Sequence, residues 1–476
     1  MSNHQNAPPT EFAHKWSTLL AVMIGTFIAP LDGSIVNTIL PSFTKTFQTE
    51  ISVIQWVPTI YLLTVSCLIL LFGRLGDMLG HKVIYLTGLI AFTIVSLFCG
   101  LSTNIWMLII FRGFQGLAGS MFMAVGAAIV TNAFPPNERG KALGTFSTSI
   151  AIALAAGPTL GGFITEFISW RFVFFINVPI GLFAIIFGFK VIPRGTRRED
   201  QRLDWIGAIA AFIFLFTILL YLNRANSWGW GSPVSLFLVI TSIVFLVVFI
   251  KIETSTEQPM LNLDLFRNQI FTMGNISLLL HFIVAFIMVF LIPFYLTMIL
   301  SLPIYVVGMI MATYPLIMLV VAPLAGTISD YTGPRWLTCC GMLICATSLL
   351  LLSNLTETNT IMDVVWRLLV FSLGMSMFQS PNSSAVLGSV PKRYLGVASG
   401  ILANMRNLGM VLGIALAGTI FFTVAPVALS KQYENFSITE IEQLLSGFYW
   451  AYMAGALVAG LAIITSFFAG KRPVEL

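Results

Sequence analysis

The chain has 476 residues, 57% of them hydrophobic and only 9% charged, with a mean hydropathy of +0.93; an ordinary soluble domain, in which roughly 25% of residues are charged, is excluded. Its 24 Lys+Arg against 19 Asp+Glu give a net charge of +5, but the basic residues stand between apolar segments and form no patch, which excludes nucleic acid as a partner. Helices apolar all round need either a very large core or lipid, so the expected partner is a lipid bilayer.

From the N-terminus, Met1 to Lys15 are polar and lack an apolar run ending in a cleavage site. Residues 1–16 are therefore expected as a tail, and the first span as a retained membrane helix. About 20 residues of helix cross the roughly 30 Å of hydrocarbon in a bilayer. Fourteen such runs follow: Ser17–Leu40, Val53–Phe72, Val83–Leu101, Trp106–Val130, Leu143–Phe163, Phe172–Ile192, Trp205–Leu222, Val234–Ile252, Ile270–Ile292, Val306–Leu324, Leu337–Leu352, Asp363–Ser380, Val397–Val424 and Phe448–Phe468. The expected fold class is all-α and polytopic: a six-helix bundle over 17–192, a basic linker with two inserted helices over 193–260, a second six-helix bundle over 261–470 and a tail over 471–476. The linker carries the basic run PRGTRREDQR, and neither inserted span holds a deep charge. The five cysteines, Cys67, Cys99, Cys339, Cys340 and Cys345, lie in or beside apolar runs without metal-ligand spacing and read as buried thiols.

An even number of spans puts both termini on one side. With that side cytoplasmic, only Lys45, Arg224 and Lys431 fall outside, while Arg112, Arg171, Arg367 and Arg406 stay within or at the ends of spans and all other basic residues fall inside. That asymmetry orients a multi-pass protein of the cell membrane with both termini cytoplasmic.

Between the second and third spans stands Gly73-Arg74-Leu75-Gly76-Asp77-Met78-Leu79-Gly80-His81-Lys82, read as a tight, charge-rich turn. After the tenth span, Gly326-Thr327-Ile328-Ser329-Asp330-Tyr331-Thr332-Gly333-Pro334-Arg335 repeats its Gly, Asp, Gly and basic positions. Glycines permit close helix approach and a reversed turn, and the aspartate can cap a helix or pair with a cation. One such stretch would be an ordinary charged loop; a matched pair suggests a conformational latch formed by Gly73, Asp77, Gly80 and Lys82 in one half and Gly326, Asp330 and Arg335 in the other. Two halves built alike are what transporters that rock about a midplane site use.

The first of these stretches resembles the signature loop of the major facilitator superfamily. Leu31-Asp32-Gly33-Ser34-Ile35-Val36-Asn37-Thr38-Ile39-Leu40-Pro41 is similar to the first-helix motif of its fourteen-span drug:proton antiporters, the EmrB/QacA subfamily. Arg112-Gly113-Phe114-Gln115-Gly116 resembles the fourth-helix motif, and Gly157-Pro158-Thr159-Leu160-Gly161-Gly162 the fifth-helix antiporter motif. Trp170 to Gly181, WRFVFFINVPIG, is also typical of that subfamily. Departures are Ala153 in place of a glycine, and Ser34, Thr38 and Ile39 where Thr, Val and Ala are commoner. The resemblance implies a proton-coupled antiporter that exports lipophilic, cationic or neutral compounds by alternating access, with the proton as coupling ion, no other cofactor, and no enzymatic activity.

Asp32 is the one acidic residue well inside an expected span, a costly placement unless the carboxyl is protonated, paired or hydrated. Burial favours its neutral form and a nearby cation its charged form, so a gated cavity could make it take up and release a proton. Deprotonated, it would also attract a lipophilic cation. Its competing role is a cap or structural salt bridge near a membrane interface. Arg112, permanently charged, is the cation expected to sense that site, or else a structural pair; Gln115 lies one turn along. Gly157 and Pro158 are expected to interrupt the fifth helix, with Gly161 and Gly162 continuing its small face. Asn404, Arg406 and Asn407 form a polar patch in the thirteenth span, His281 is a lone imidazole in the ninth, and no second-half carboxylate matches Asp32. Asp32, Asn37, Gln55, Trp56, Tyr61, Gln115, Phe378, Gln379, Asn404 and Arg406 are the candidate substrate-binding residues, and the aromatic rings among them would attract a cation. The partner is a small lipophilic molecule and the chain is taken as monomeric. An exporter of an endogenous lipid, peptide or metabolite would show the same spans; a channel or receptor would lack counter-transport.

Overall fold

The structure is a computed structural model that describes residues 15–135, 138–193, 204–229, 231–256, 263–391, 395–426 and 437–469. The tail over 471–476, most of the tail over 1–16 and the linker residues 194–203 lie outside the described residues. Seventeen α-helices carry the described fold. They are α1 (Lys15–Phe47), α2 (Ile51–Ile54), α3 (Trp56–Leu79), α4 (His81–Gly100), α5 (Ile105–Ala133), α6 (Arg139–Phe167), α7 (Phe172–Phe175), α8 (Asn177–Val191), α9 (Trp205–Trp228) and α10 (Pro233–Ser255), followed by α11 (Gln269–Phe294), α12 (Ile304–Met311), α13 (Thr313–Thr332), α14 (Pro334–Ser353), α15 (Ile361–Gly388), α16 (Leu395–Val424) and α17 (Ile438–Ala469).

Helices α1 to α8 form one bundle and α11 to α17 a second. The two meet where α6 packs on α12 and α13, α3 on α16, and α1 on α11 and α12. The inserted pair α9 and α10 has a small apolar cluster of its own, Ala210, Ala211 and Phe249, and α9 rests on α3 and α16. Large apolar side chains remain on the outer faces, among them Phe237, Ile240, Leu316, Val320 and Leu457, each more than half exposed. Only hydrocarbon makes such a surface favourable.

Among the described residues twelve helical segments are long and apolar enough to cross a membrane, against the fourteen expected. The apolar stretches Ile152–Phe167 of α6 and Trp205–Tyr221 of α9 are shorter.

Several helices run on through proline: α1 through Pro30 and Pro41, α6 through Pro158, α11 through Pro293, α13 through Pro323 and α15 through Pro381. Proline removes one helical hydrogen bond, and in lipid the abandoned carbonyl must find another donor. The expected interruption of the fifth span at Gly157-Pro158 therefore does not occur. Pro158 leaves the Leu154 carbonyl free, and Ser34 Oγ on α1 donates to that oxygen at 3.0 Å.

The charged stretches are also more helical than expected. Gly73 to Leu79 form the last two turns of α3, and only Gly80 turns the chain, at φ 99°, before α4 begins at His81. In the second copy α13 runs to Thr332 and Gly333 alone turns, at φ 83°. No residue before these glycines needs a left-handed backbone, so nothing stops the helix earlier.

Candidate functional site

The polar centre of the first bundle is built from five helices. Asp32, fully buried on α1, forms an ion pair through Oδ2 with Nη1 of Arg112 on α5, itself fully buried. Its other oxygen, Oδ1, accepts from Asn177 Nδ2 at the start of α8 (2.8 Å) and from Gln115 Nε2 (3.2 Å). Gln115 follows Arg112 by one turn of α5, so both reach the same carboxylate. Gln115 Oε1 accepts from Arg112 Nη1 at 2.6 Å, and Gln115 Nε2 also donates to Ser96 Oγ on α4 at 2.9 Å. From α3, the Val57 carbonyl accepts from Arg112 Nε (3.2 Å), and the Tyr61 ring lies 4.3 Å from the guanidinium carbon.

A carboxylate and a guanidinium removed from water lose hydration worth several kcal/mol each, which their attraction offsets only with good geometry and further hydrogen bonds. Here the acid has three side-chain partners. Arg112 Nη2 and Asn177 Oδ1 have none among the described residues, although both are buried. The network is thus satisfied around the carboxylate and less so at its edge. Asp32 has no exposed surface, so in this structure it is sealed from any substrate.

Sequence reasoning placed Asp32, Arg112 and Gln115 together and named Tyr61 as a candidate cavity residue, which the structure brings beside Arg112. It missed Asn177 and Ser96. Asn177 was visible only as part of the run WRFVFFINVPIG, where nothing marks one polar residue as facing α1. Ser96 is one of many serines in the chain.

The remaining cavity candidates make no hydrogen bond to this network. Asn37 and Gln55 are buried, each with an amide oxygen unpartnered among the described residues, and Trp56 is buried at the start of α3. Phe378 on α15 stacks on His281 of α11 at 4.3 Å, and both ring nitrogens of that histidine are buried without a partner among the described residues. Gln379 is half-buried. On α16, Asn404 and Asn407 are buried with amide atoms unpartnered among the described residues, and Arg406 is half-buried.

The α6 glycines are explained by close packing. A side chain at Gly157 would collide with Ser34, and one at Gly161 would meet Ile35 Cγ2 at 2.9 Å. Gly162 faces the second bundle, where a Cβ would lie 2.8 Å from the Ile304 carbonyl oxygen; opposite, Gly308 abuts the Pro158 carbonyl. Tyr305 inserts beside Phe163 and Phe167 (6.0 and 5.7 Å between ring centres). With Gln55 packed against Gly418, these contacts bring the bundles together at the end away from the two charged turns.

Those turns share a backbone but not their side-chain chemistry. In the first, Asp77 pairs with His81 at 3.0 Å, and Lys82 Nζ donates to the carbonyls of Phe189 (2.9 Å) and Ile192 (2.5 Å), at and just beyond the end of α8. A Cβ at Gly73 would meet nothing within 4 Å. In the second, the Arg335 guanidinium sits 3.4 Å from the centre of the Phe467 ring, and Gly326 lies against Ser380. The side chain of Asp330 lies outside the described residues. The cysteines correct another expectation: Cys67, Cys99 and Cys345 are buried, but Cys339 is half-buried and Cys340 exposed, because both sit toward one end of α14, which has a lipid-facing side.

Two helical bundles packed against one another, apolar on their outer faces and with a charged pair sealed inside one of them, fit a multi-pass membrane transporter. The chain belongs to the Major Facilitator Superfamily, whose sequence profile matches residues 22–414. It is 36% identical over 408 residues to the riboflavin transporter RibZ of Clostridioides difficile (strain 630), covering 86% of this chain and 88% of that one. It is 28% identical over 432 residues to the tetracenomycin C resistance and export protein of Streptomyces glaucescens, covering 88% and 80%. The fold matches a bacterial homologue of the human lysosomal transporter Spinster with a TM-score of 0.67 at 14% identity, over 98% of this chain and 100% of that one. The protein is a transporter and not an enzyme.

Proposed function

We propose that the protein is a proton-coupled antiporter of the fourteen-span drug:proton type, which exports small lipophilic compounds across the cell membrane. The observation that carries this reading is the Asp32–Arg112 pair. Protonating Asp32 would remove the charge that holds Arg112, Gln115 and Asn177 in place, so proton uptake and helix rearrangement become one event. The α6 glycines and α12 would act as the gate at one end of the bundles, and the two charged turns as latches at the other. Asn37, Gln55, Trp56, Tyr61, Phe378, Gln379, Asn404 and Arg406 are assigned to the substrate path.

Fourteen crossings follow if the full lengths of α6 and α9, 29 and 24 residues, both span the membrane. Successive long helices then alternate in direction, both termini and both charged turns fall on one side, and the basic residues make that side the cytoplasm. A monomer suffices, since the polar network is contained in one chain. Inside-out vesicles loaded by an imposed pH gradient test the assignment: rhodamine 6G accumulation that collapses with the gradient is expected, and gradient-independent flux of it and of a panel of lipophilic dyes rejects the antiporter.

The likeness to a riboflavin transporter over most of the chain favours a second reading, a carrier for an endogenous aromatic metabolite. Competition of unlabelled riboflavin against the dye in the same vesicles separates the two.

A further inference from the structure

Three charged side chains lie deep in the long helices of the two bundles: Asp32, Arg112 and Arg406. The first two neutralise each other, which leaves Arg406 as the net interior charge. It sits eleven residues into α16, about 17 Å along the helix axis. No ion pair is formed by it among the described residues, and no Asp or Glu occurs within the apolar core of any second-bundle helix.

Its direction follows from the helix itself. Val397, 37% exposed, marks the outward side of α16, and Arg406 follows it by nine residues, about two and a half turns, which places it on the opposite side. Gly409 and Gly413 pack against α11, and Gly418 against Gln55 of the first bundle. Arg406 falls beside the α11-facing strip, with half-buried Ala403 and Met410 next to it. The helix geometry therefore turns Arg406 toward the junction of the bundles, and the residue as a whole is half-buried. On the neighbouring positions, Asn404 and Asn407 are buried with an amide oxygen and an amide nitrogen unpartnered.

We propose that Arg406 is the anchor for an acidic group on the transported molecule, so that the substrate class is aromatic or lipophilic organic anions. An unpaired cation at this depth is unfavourable, and a carboxylate or ionised phenol that arrives with the substrate relieves it through charge-assisted hydrogen bonds. The Asn407 amide nitrogen is a second donor beside it. This rests on the reading of the chain as a carrier of small lipophilic compounds and reverses the cation preference that Asp32 alone suggests, because the Asp32 charge is already matched by Arg112.

The test uses two dyes on one xanthene scaffold, anionic fluorescein and cationic rhodamine 6G, with the full-length protein in lipid nanodiscs and binding read by fluorescence anisotropy. Fluorescein is expected to bind the wild type, and Arg406→Gln to weaken it by at least about tenfold, the scale of a lost charged hydrogen bond. Arg406→Lys should retain part of the binding, and in both variants rhodamine 6G should lose clearly less affinity than fluorescein, since it brings no anionic group for Arg406 to hold. Failure of fluorescein to bind the wild type, or equal binding by Arg406→Gln, overturns the proposal; so does an equal loss of both dyes, which would mark Arg406 as structural. Gradient-driven rhodamine 6G flux without fluorescein binding would leave the antiporter standing and remove only the anion site. Fluorescein binding without any proton-driven flux would do the reverse.

Discussion

The two bundles share a fold and place their polar groups by opposite rules. In the first, Asp32, Arg112, Gln115, Asn177 and Ser96 form one connected network drawn from α1, α4, α5 and α8, with the Val57 carbonyl of α3 closing it. In the second, among the described residues, His281 lies between Phe282 and Phe378 with neither nitrogen bonded, and Arg406 meets no acid. A network whose members hold one another responds as a unit when one charge changes. Isolated groups cannot; they are available to something that enters. Under the proposed function, coupling belongs to the first bundle and recognition to the second.

The largest effect that would break this division is at Asp32. Asp32→Asn is expected to abolish gradient-driven transport in vesicles, and undiminished flux would remove the carboxyl from the coupling scheme. Either single change in the pair, Asp32→Asn or Arg112→Gln, leaves a buried charge without its partner and should cost about 3–5 kcal/mol, read as a lowered unfolding temperature in detergent. The double variant restores neutrality. It should regain much of the stability and none of the transport; if it regained both, the pair would be structural only.

A smaller effect tests how α6 survives its proline. The Leu154 carbonyl depends on Ser34 Oγ because Pro158 has no N–H to offer. Ser34→Ala should therefore destabilise by about 1–3 kcal/mol, the cost of a buried acceptor left unpaired. In a Pro158→Ala background the helix supplies its own donor, so the same substitution should cost clearly less. An equal cost in both backgrounds would mean that Ser34 acts through packing on Gly157 instead.

Much of this was legible in the sequence, and the gaps have physical causes. Apolar run length gave the helices, since a bilayer imposes the same length on every span. Charge rarity singled out Asp32 and Arg112, because such a placement is expensive enough to be uncommon. Asn177 and Ser96 escaped because a neutral polar side chain in a membrane helix costs little by itself; only the fold shows that two of them meet one carboxylate. The break anticipated at Pro158 failed for a related reason. Sequence shows the lost donor and cannot show a hydroxyl brought from a residue more than a hundred positions away. The fourteen-span count rested on α6 and α9, in which the described apolar stretch is shorter than a full crossing.

The smallest expected effect sharpens the comparison at the charged turns. Gly80 and Gly333 each end one helix and begin the next at φ 99° and φ 83°, a backbone that a residue with a Cβ adopts at a cost of about 1–2 kcal/mol. A Cβ at either position would meet nothing within 4 Å, so no clash adds to that strain. Gly80→Ala and Gly333→Ala should then lower the unfolding temperature by similar amounts, although the following residues differ: Lys82, two after Gly80, binds carbonyls at the end of α8, whereas Arg335, two after Gly333, lies on the Phe467 ring. If Gly80→Ala alone were costly, the side-chain bonds of Asp77 and Lys82 would be what the turn protects. Equal costs would mean that the two halves share their hinge in the backbone and differ only in the chemistry placed around it.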